Sequence, residues 1–486
     1  MWSIIIILLI IVLVLLAYLD TRKPRHFPPG PVWLPILGCA WELRRLHKEK
    51  GSLPEATQAL ATKYGPVVGA RVGRERVVFV YGWKAIDELL SRDELNGRPD
   101  NVATTSRTGG KRRGVLFTDS ECLQEQKRFV FRHFNEATFR KVVMREMIKE
   151  KVGSIIDDVT RAIEKDPVVD MYCFFRIHVL SAFCLLITGQ TGNQQELSEL
   201  EAIVADFARN VPLAGPVFGM FPFLRHICPE YCGYNVYVGI HEKILTFFHK
   251  KVELLRDAAP NRGFIHAYLD KLNSAQSGGS FSQEQLLAIC LDLVTAGYDS
   301  ICSTLKFTFL YLILNPDIQK KAQEEIDTVL QGRPPTIEEK PHLPYVEGIV
   351  LESLRMFTGR SHFVPRRATK DTQFNGYFIR KNTTLLLNHR GTLMDEAAGW
   401  QNPDDFDPGR FLRDGRAKIP NNFSPFGLGK RRCVGEVFAR ESIFLVVAGL
   451  LQAFKFETVP GNPTTVETVE NFAPSCQTYK TYVTLR

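Results

Sequence analysis

One cysteine of this 486-residue chain stands in a setting suited to metal chemistry. The run Phe426-Gly427-Leu428-Gly429-Lys430-Arg431-Arg432-Cys433-Val434-Gly435 places Cys433 in a glycine-interrupted, basic loop, and an apolar helical stretch over 434–454 follows it. Glycine permits a tight backbone path around the sulfur. The exposed N–H groups at the start of a helix favour a thiolate over a thiol. A thiolate held in this way can ligate a metal ion and tune it through hydrogen bonds to the sulfur. The alternative is a structural cysteine in a glycine-rich turn.

A second group of reactive types lies in a long apolar run. Ser282 and Gln285 have the spacing of a capping box, and the helix they would open passes through Leu286, Leu287, Ile289, Cys290, Leu293 and Val294 into Ala296-Gly297-Tyr298-Asp299-Ser300. Small residues followed by an acid and a hydroxyl leave two readings open: a packed core helix with Asp299 satisfied by a neighbour, or the wall of a reactive site. Glu352 and Arg355 are three apart in a helical stretch and share a face, as any surface ion pair would. Arg98, Arg366 and Arg431, taken singly, read as solvated charges.

The spacing Phe-x-x-Gly-x-Arg-x-Cys-x-Gly, met by Phe426, Gly429, Arg431, Cys433 and Gly435, resembles the haem-ligand loop of the cytochrome P450 family. Further matches fall in the family's order: Ala296 to Ser300 on the oxygen side, Glu352 with Arg355, then Phe406-Asp407-Pro408-Gly409-Arg410-Phe411. The resemblance therefore covers nearly the whole chain and implies a mainly α fold with a smaller β-rich lobe. It makes Cys433 the ligand to the iron of haem b. It gives Ala296 and Gly297 the task of leaving room for dioxygen, and Asp299 and Ser300 that of passing protons. Glu352, Arg355 and Arg410 would form a buried network near the haem, and Arg98, Arg366 and Arg431 would meet its propionates.

Four departures from the family pattern bear on that expectation. Ser300 stands where threonine is usual, and Gly409 where a glutamate is usual. Leu123 replaces a tryptophan and Lys127 an arginine that both meet a propionate. Lysine keeps the charge without the planar fork, and leucine donates no hydrogen bond.

The elements that must position these residues are legible more coarsely. Residues 67–81 alternate around Gly73 and predict a hairpin; 374–387 predicts short strands around Asn375-Gly376; 116–331 reads as mostly helical, with a Gly/Ser-rich loop over 274–280. No internal repeat is present. Residues 1–19 carry no charge and 4–16 are Ile, Leu and Val alone, which is just long enough to span the ~30 Å apolar core of a bilayer. Basic residues follow at Arg22, Lys23 and Arg25, opposite to the order of a cleaved signal peptide, so an uncleaved anchor is expected, its N-terminus luminal and the rest cytosolic. The domain expectation is an anchor over 1–20, a basic, proline-rich hinge over 21–31 and a catalytic domain over 32–486.

The net charge of +8 is spread along the chain among acids and accompanies no nucleic-acid motif, so nucleic acid is excluded as a partner. In a long chain with a cytosolic catalytic part, the ten cysteines read as free thiols. Cys228 and Cys232 near His226 lack a second ligand pair at zinc spacing.

The resemblance implies a monooxygenase of the endoplasmic reticulum membrane. NADPH–cytochrome P450 reductase would supply electrons, with cytochrome b5 as a further partner, docking near Lys430, Arg431 and Arg432. The substrate expectation is an apolar small molecule (steroid, terpenoid, fatty acid or xenobiotic) lined by 101–113, 210–223, 357–363 and Phe472. The run over 217–224 reads either as core or as a surface dipping into the bilayer. Two alternatives are a haem-thiolate peroxide isomerase or dehydratase, whose relatives tend to lose the acid and hydroxyl kept here, and a non-enzymatic haem-binding membrane protein.

Overall fold

A computed structural model describes residues 2–135, 144–212, 215–259, 261–274, 279–461, 464–469 and 473–486. Its axis is the 32-residue helix Gln283–Leu314, apolar on nearly every face and buried along most of its length. A helix that is apolar all round must lie inside the protein. The Ser282 hydroxyl accepts from the Gln285 N–H at 3.1 Å, but the reciprocal half of the expected capping box is absent. The Gln285 side chain is used elsewhere, donating to the carbonyl of Gly114 and accepting its N–H, both at 3.1 Å. A loop far away in sequence outcompetes the helix's own N-terminus.

Around this axis pack Met171–Thr188, Gln194–Asn210, Tyr234–Arg256, Pro344–Thr358 and Glu436–Ala453. Pro344–Thr358 is buried from Tyr345 to Thr358, which brings Glu352 and Arg355 into the core. One apolar core fills this helical body and a second fills the β-rich lobe.

The lobe is a four-stranded sheet in the order Val67–Val72, Glu75–Val80, Thr384–Leu387, Arg366–Arg367. The first pair is the expected hairpin, with Val67 opposite Val80 and the chain reversing at Gly73 in the left-handed region. Thr384–Leu387 runs parallel to Glu75–Val80 and antiparallel to Arg366–Arg367. The expected strands around Asn375-Gly376 form the hairpin Thr372–Phe374 with Tyr377–Ile379, both turn residues having positive φ as a tight primed turn requires. A second sheet joins Phe454–Thr458, Thr481–Leu485 and Val168–Val169.

Among the described residues, three helices are long and apolar enough to cross a membrane, and burial separates them. Met171–Thr188 and Gln283–Leu314 are spent on the core, whereas Trp2–Thr21 has no buried residue. Beyond it, Phe27 packs edge-on against Trp33, and Pro29 accepts the Gly69 N–H, so the proline-rich segment lies along the first strand. All ten cysteines are unpaired.

Candidate active site

The cysteine loop is closed by its own backbone. The Cys433 N–H donates to the Phe426 carbonyl at 2.9 Å, and Gly427 and Gly429 take positive φ to make the path possible. The helix Glu436–Ala453 starts immediately beyond, with Gly435 as its cap residue. Burial pushes the Cys433 thiol up; the Gly435 N–H and the charges of Lys127 and Arg432 oppose this. A coordinated metal cation would deprotonate it outright.

Cys433 faces a cavity between the central helix and the loop. The same cavity is lined by Arg98, Lys127, Ala296, Gly297, Ser300, Arg366, Phe426, Arg431 and Gly435, so tertiary structure gathers these expected residues from five separate stretches of sequence. The arginines on its wall are short of anions. Arg366 Nε and Nη1 and Arg431 Nη1 are buried without a partner. Burial pulls Arg366 down to about 9, aided by the charge of Arg431, and Arg431 itself down to about 10. Buried donors of this kind carry a cost until an acceptor reaches them. A flat macrocycle with two carboxylates and an iron facing the thiol satisfies that donor set, so the residues present fit a haem.

Arg98 and Lys127 are placed differently from the expectation of simple propionate contacts. Arg98 donates to the carbonyls of Leu116 (2.7 Å), Val364 (2.7 Å) and Pro365 (2.9 Å), stitching the loop before Ser120–Asn135 to the sheet. Lys127 donates to the carbonyls of Lys430 and Arg432. Leu123, the tryptophan replacement, lines both the main cavity and a more open one beside it.

On the opposite wall, Ala296, Gly297 and Ser300 face the cavity, while the buried Asp299 lies just outside that lining. There its carboxylate accepts the Ala473 N–H at 3.3 Å with Arg176 and Lys306 as the nearby cations, and burial raises it to about 6. The Ser300 hydroxyl donates to the Ala296 carbonyl at 2.7 Å, one of a series of such back-bonds made by Thr295, Thr304 and Thr308 along the helix. A Cβ on Gly297 would collide with the ring of Phe183, so this glycine also serves helix packing.

Below the cavity, the Glu352 carboxylate takes Arg355 Nε at 2.7 Å and Nη2 at 2.8 Å, the Asp407 N–H at 2.9 Å and Arg410 Nε at 3.2 Å. Both Glu352 and Arg355 are fully buried. Gly409 donates its N–H to Asp407, a close turn that its missing side chain leaves open.

Several functional residues escaped the sequence reading. Asp292, two turns before Ser300, forms a buried ion pair with Arg107 and accepts the N–H groups of Val115 (2.6 Å) and Leu116 (2.8 Å), pinning the loop over the cavity. Its signal was an acid inside an otherwise apolar helical run. His362 and His389 also line the cavity. Burial holds both imidazoles uncharged; His362 meets the Thr57 hydroxyl at 3.0 Å, and His389 Nδ1 is buried without a partner. Among the expected lining segments, 357–363 contributes Phe357, Thr358, Ser361, His362 and Phe363 to the cavity, the described residues of 101–113 and 210–223 do not line it, and Phe472 lies outside the described residues.

Comparison with known proteins adds an independent line. A model of the family described as Cytochrome P450 matches residues 28–483. The protein named "Probable cytochrome P450 303a1" of Drosophila melanogaster is 33% identical over 465 residues, 92% of each chain. Farnesoate epoxidase of Bombyx mori is 30% identical over 93% of this chain and 92% of its own. Cytochrome P450 2J2 of Homo sapiens is 28% identical over 94% and 92%.

Proposed function

The chain belongs to the cytochrome P450 family and is a monooxygenase of that family, and from this premise we propose that it inserts one atom of dioxygen into an apolar small molecule at Cys433-ligated haem b. The observation that carries this reading is the Cys433 thiol facing a cavity that also collects the unpaired N–H donors of Arg366 and Arg431. When bound, the haem supplies the oxygen chemistry, and a thiolate ligand favours O–O cleavage.

The chain's own groups do the rest. Arg366 and Arg431 hold the carboxylates, with Arg98 fixing the wall on which Arg366 sits. The Glu352–Arg355–Arg410 network keeps the floor rigid. Ser300 presents its hydroxyl to the cavity, where it can donate a hydrogen bond once its back-bond to Ala296 opens, and passes a proton on only as it gains another. Asp299, raised to about 6, exchanges protons near neutral pH beside Arg176 and Lys306 and is the source of the proton that replaces the one Ser300 passes on. The loop pinned by Asp292 excludes water above.

Electrons come from NADPH through a flavoprotein reductase, with cytochrome b5 as a second donor. Both dock by charge on the face carrying the exposed Lys430 and Arg432. Trp2–Thr21 anchors the chain in the endoplasmic reticulum membrane, its N-terminus luminal because Arg22, Lys23 and Arg25 follow it. Val217, Phe223 and Ile227 are exposed on the segment before Tyr234–Arg256, as are Ile36 and Trp41. The Arg74 N–H donates to Met220 and the Gly73 N–H to Leu37, so the two apolar stretches adjoin and form one surface that enters the bilayer beside the cavity roof. The relative named farnesoate epoxidase makes isoprenoid acids and esters the first substrates to screen.

The test is the carbon monoxide difference spectrum of the reduced, membrane-expressed protein beside Cys433→Ala. A strongly red-shifted Soret band lost in the variant is expected. A band at the histidine-ligated position, or none from folded protein, overturns the reading. Reductase-dependent NADPH consumption then separates a monooxygenase from a peroxide isomerase.

A further inference from the structure

The peptide group that leads into Cys433 is held at both ends. Its N–H, that of Cys433, donates to Phe426 at 2.9 Å, and its carbonyl, that of Arg432, accepts from Lys127 Nζ at 2.6 Å. The same ammonium donates to the carbonyl of Lys430 at 2.7 Å. Lys127 belongs to another element, the helix Ser120–Asn135, and reaches across about 300 positions of sequence to do this. Two carbonyls converging on one point suit a compact ammonium with three donors better than a planar guanidinium.

We propose that Lys127 is a positioning residue of the thiolate ligand: it locks the Arg432–Cys433 peptide and holds an ammonium against the ligand loop, instead of serving a haem carboxylate. Its location agrees with this. Lys127, Leu123 and Arg431 border both the main cavity and the open cavity outside it, so they form the partition between the ligand loop and solvent. Leucine at 123 gives the partition no hydrogen bond, and Lys127 is the residue that ties it to the loop.

Two separable consequences follow. The hydrogen bonds orient the sulfur, so their loss lets the thiolate detach or take a proton on reduction. The positive charge favours the electron-rich reduced state, so its loss moves the haem midpoint potential to more negative values.

The inference rests on the haem-thiolate reading, which the wild-type carbon monoxide spectrum tests by itself. The experiment compares full-length wild type with Lys127→Arg, Lys127→Gln and Lys127→Met. It measures the midpoint potential by spectroelectrochemistry and the lifetime of the thiolate-type carbon monoxide band. Lys127→Met is expected to show a more negative midpoint and a several-fold shorter band lifetime. Lys127→Gln, which keeps a donor, is expected to shift the midpoint while largely preserving the band, and Lys127→Arg to stay near wild type in midpoint. An unchanged midpoint in Lys127→Gln overturns the proposal even if Lys127→Met does not accumulate. So does accelerated haem loss to an acceptor globin with midpoint and band unaltered, the signature of a propionate contact.

Discussion

Asp119 accepts a hydrogen bond from Arg431 at 2.8 Å, joining the start of the helix Ser120–Asn135 to the residue two before the cysteine. The same carboxylate accepts from Arg367 (2.6 Å), Arg112 (2.8 Å) and the Arg98 N–H (2.7 Å). Burial pushes it up, but the hydrogen bonds from Arg112 and Arg367 outweigh this and hold it below the usual carboxylate range. One anion therefore organises the cationic wall of the cavity and aims Arg431. Asp119→Asn keeps the shape and removes the charge, leaving clustered arginines in mutual repulsion. The expected cost is about 2–4 kcal/mol, read by urea denaturation, together with several-fold faster haem transfer to an acceptor globin.

Arg355→Lys is expected to be as damaging as a larger change. Arg355 meets both oxygens of Glu352 with two nitrogens and also donates to the Leu393 carbonyl, all without solvent. Lysine can reproduce one of these contacts at a time, and the buried carboxylate is left underpaired at a cost of about 3 kcal/mol. The measurement is the yield of haem-loaded protein; near-normal yield and urea midpoint would remove the network from the structural account.

Gly297→Ala tests whether the glycine serves packing rather than only room for a small ligand. The added methyl meets Phe183, whose ring also packs edge-on against Phe438 at 5.4 Å and lines the cavity. Overpacking of this kind costs about 1–3 kcal/mol, and the displaced ring intrudes on the cavity. Thermal unfolding and ligand-induced spin shifts should both worsen, and adding Phe183→Leu should restore them.

Asp299 gives a pH dependence of unusual sign. Burial raises its carboxyl from 3.8 to about 6, so the native state holds this proton more tightly than the unfolded chain. Above pH 6 the ionised group is a native-state penalty of about 3 kcal/mol. The penalty fades as pH falls through 6 and is gone below about 4. Asp299→Asn should therefore stabilise the protein at pH 7.5, with the gap to wild type closing on acidification. It should also lower product formed per NADPH. A gain that persists or grows on acidification, or a variant less stable at pH 7.5, would contradict the assignment.

Legibility varied with how far the structural partners lie apart in sequence. The cysteine loop was readable because its ligand, glycines and following helix are contiguous, and the structure closes it with a bond from Cys433 to Phe426 inside the same ten residues. Glu352 with Arg355 was readable because i and i+3 share a helix face, although their complete burial was not. The hairpins at Gly73 and at Asn375-Gly376 were readable from turn chemistry. The second half of the Ser282 capping box was not, because Gln285 found a better partner in Gly114.

What the amino-acid sequence by itself determined was the chemistry: a cysteine thiolate at the head of a helix, an acid and a hydroxyl on an apolar helix, an ion pair on one helix face, an N-terminal span, all in one order. These are properties of neighbours along the chain, where spacing fixes geometry. Tertiary structure alone decided where each charged side chain spends its hydrogen bonds. It sent Lys127 to the Cys433 loop, set Asp119 among its arginines, bound Asp292 to Arg107 and gave Asp299 the N–H of Ala473. Long side chains reach several ångströms in many directions, and which acceptor they meet depends on elements packed from hundreds of residues away.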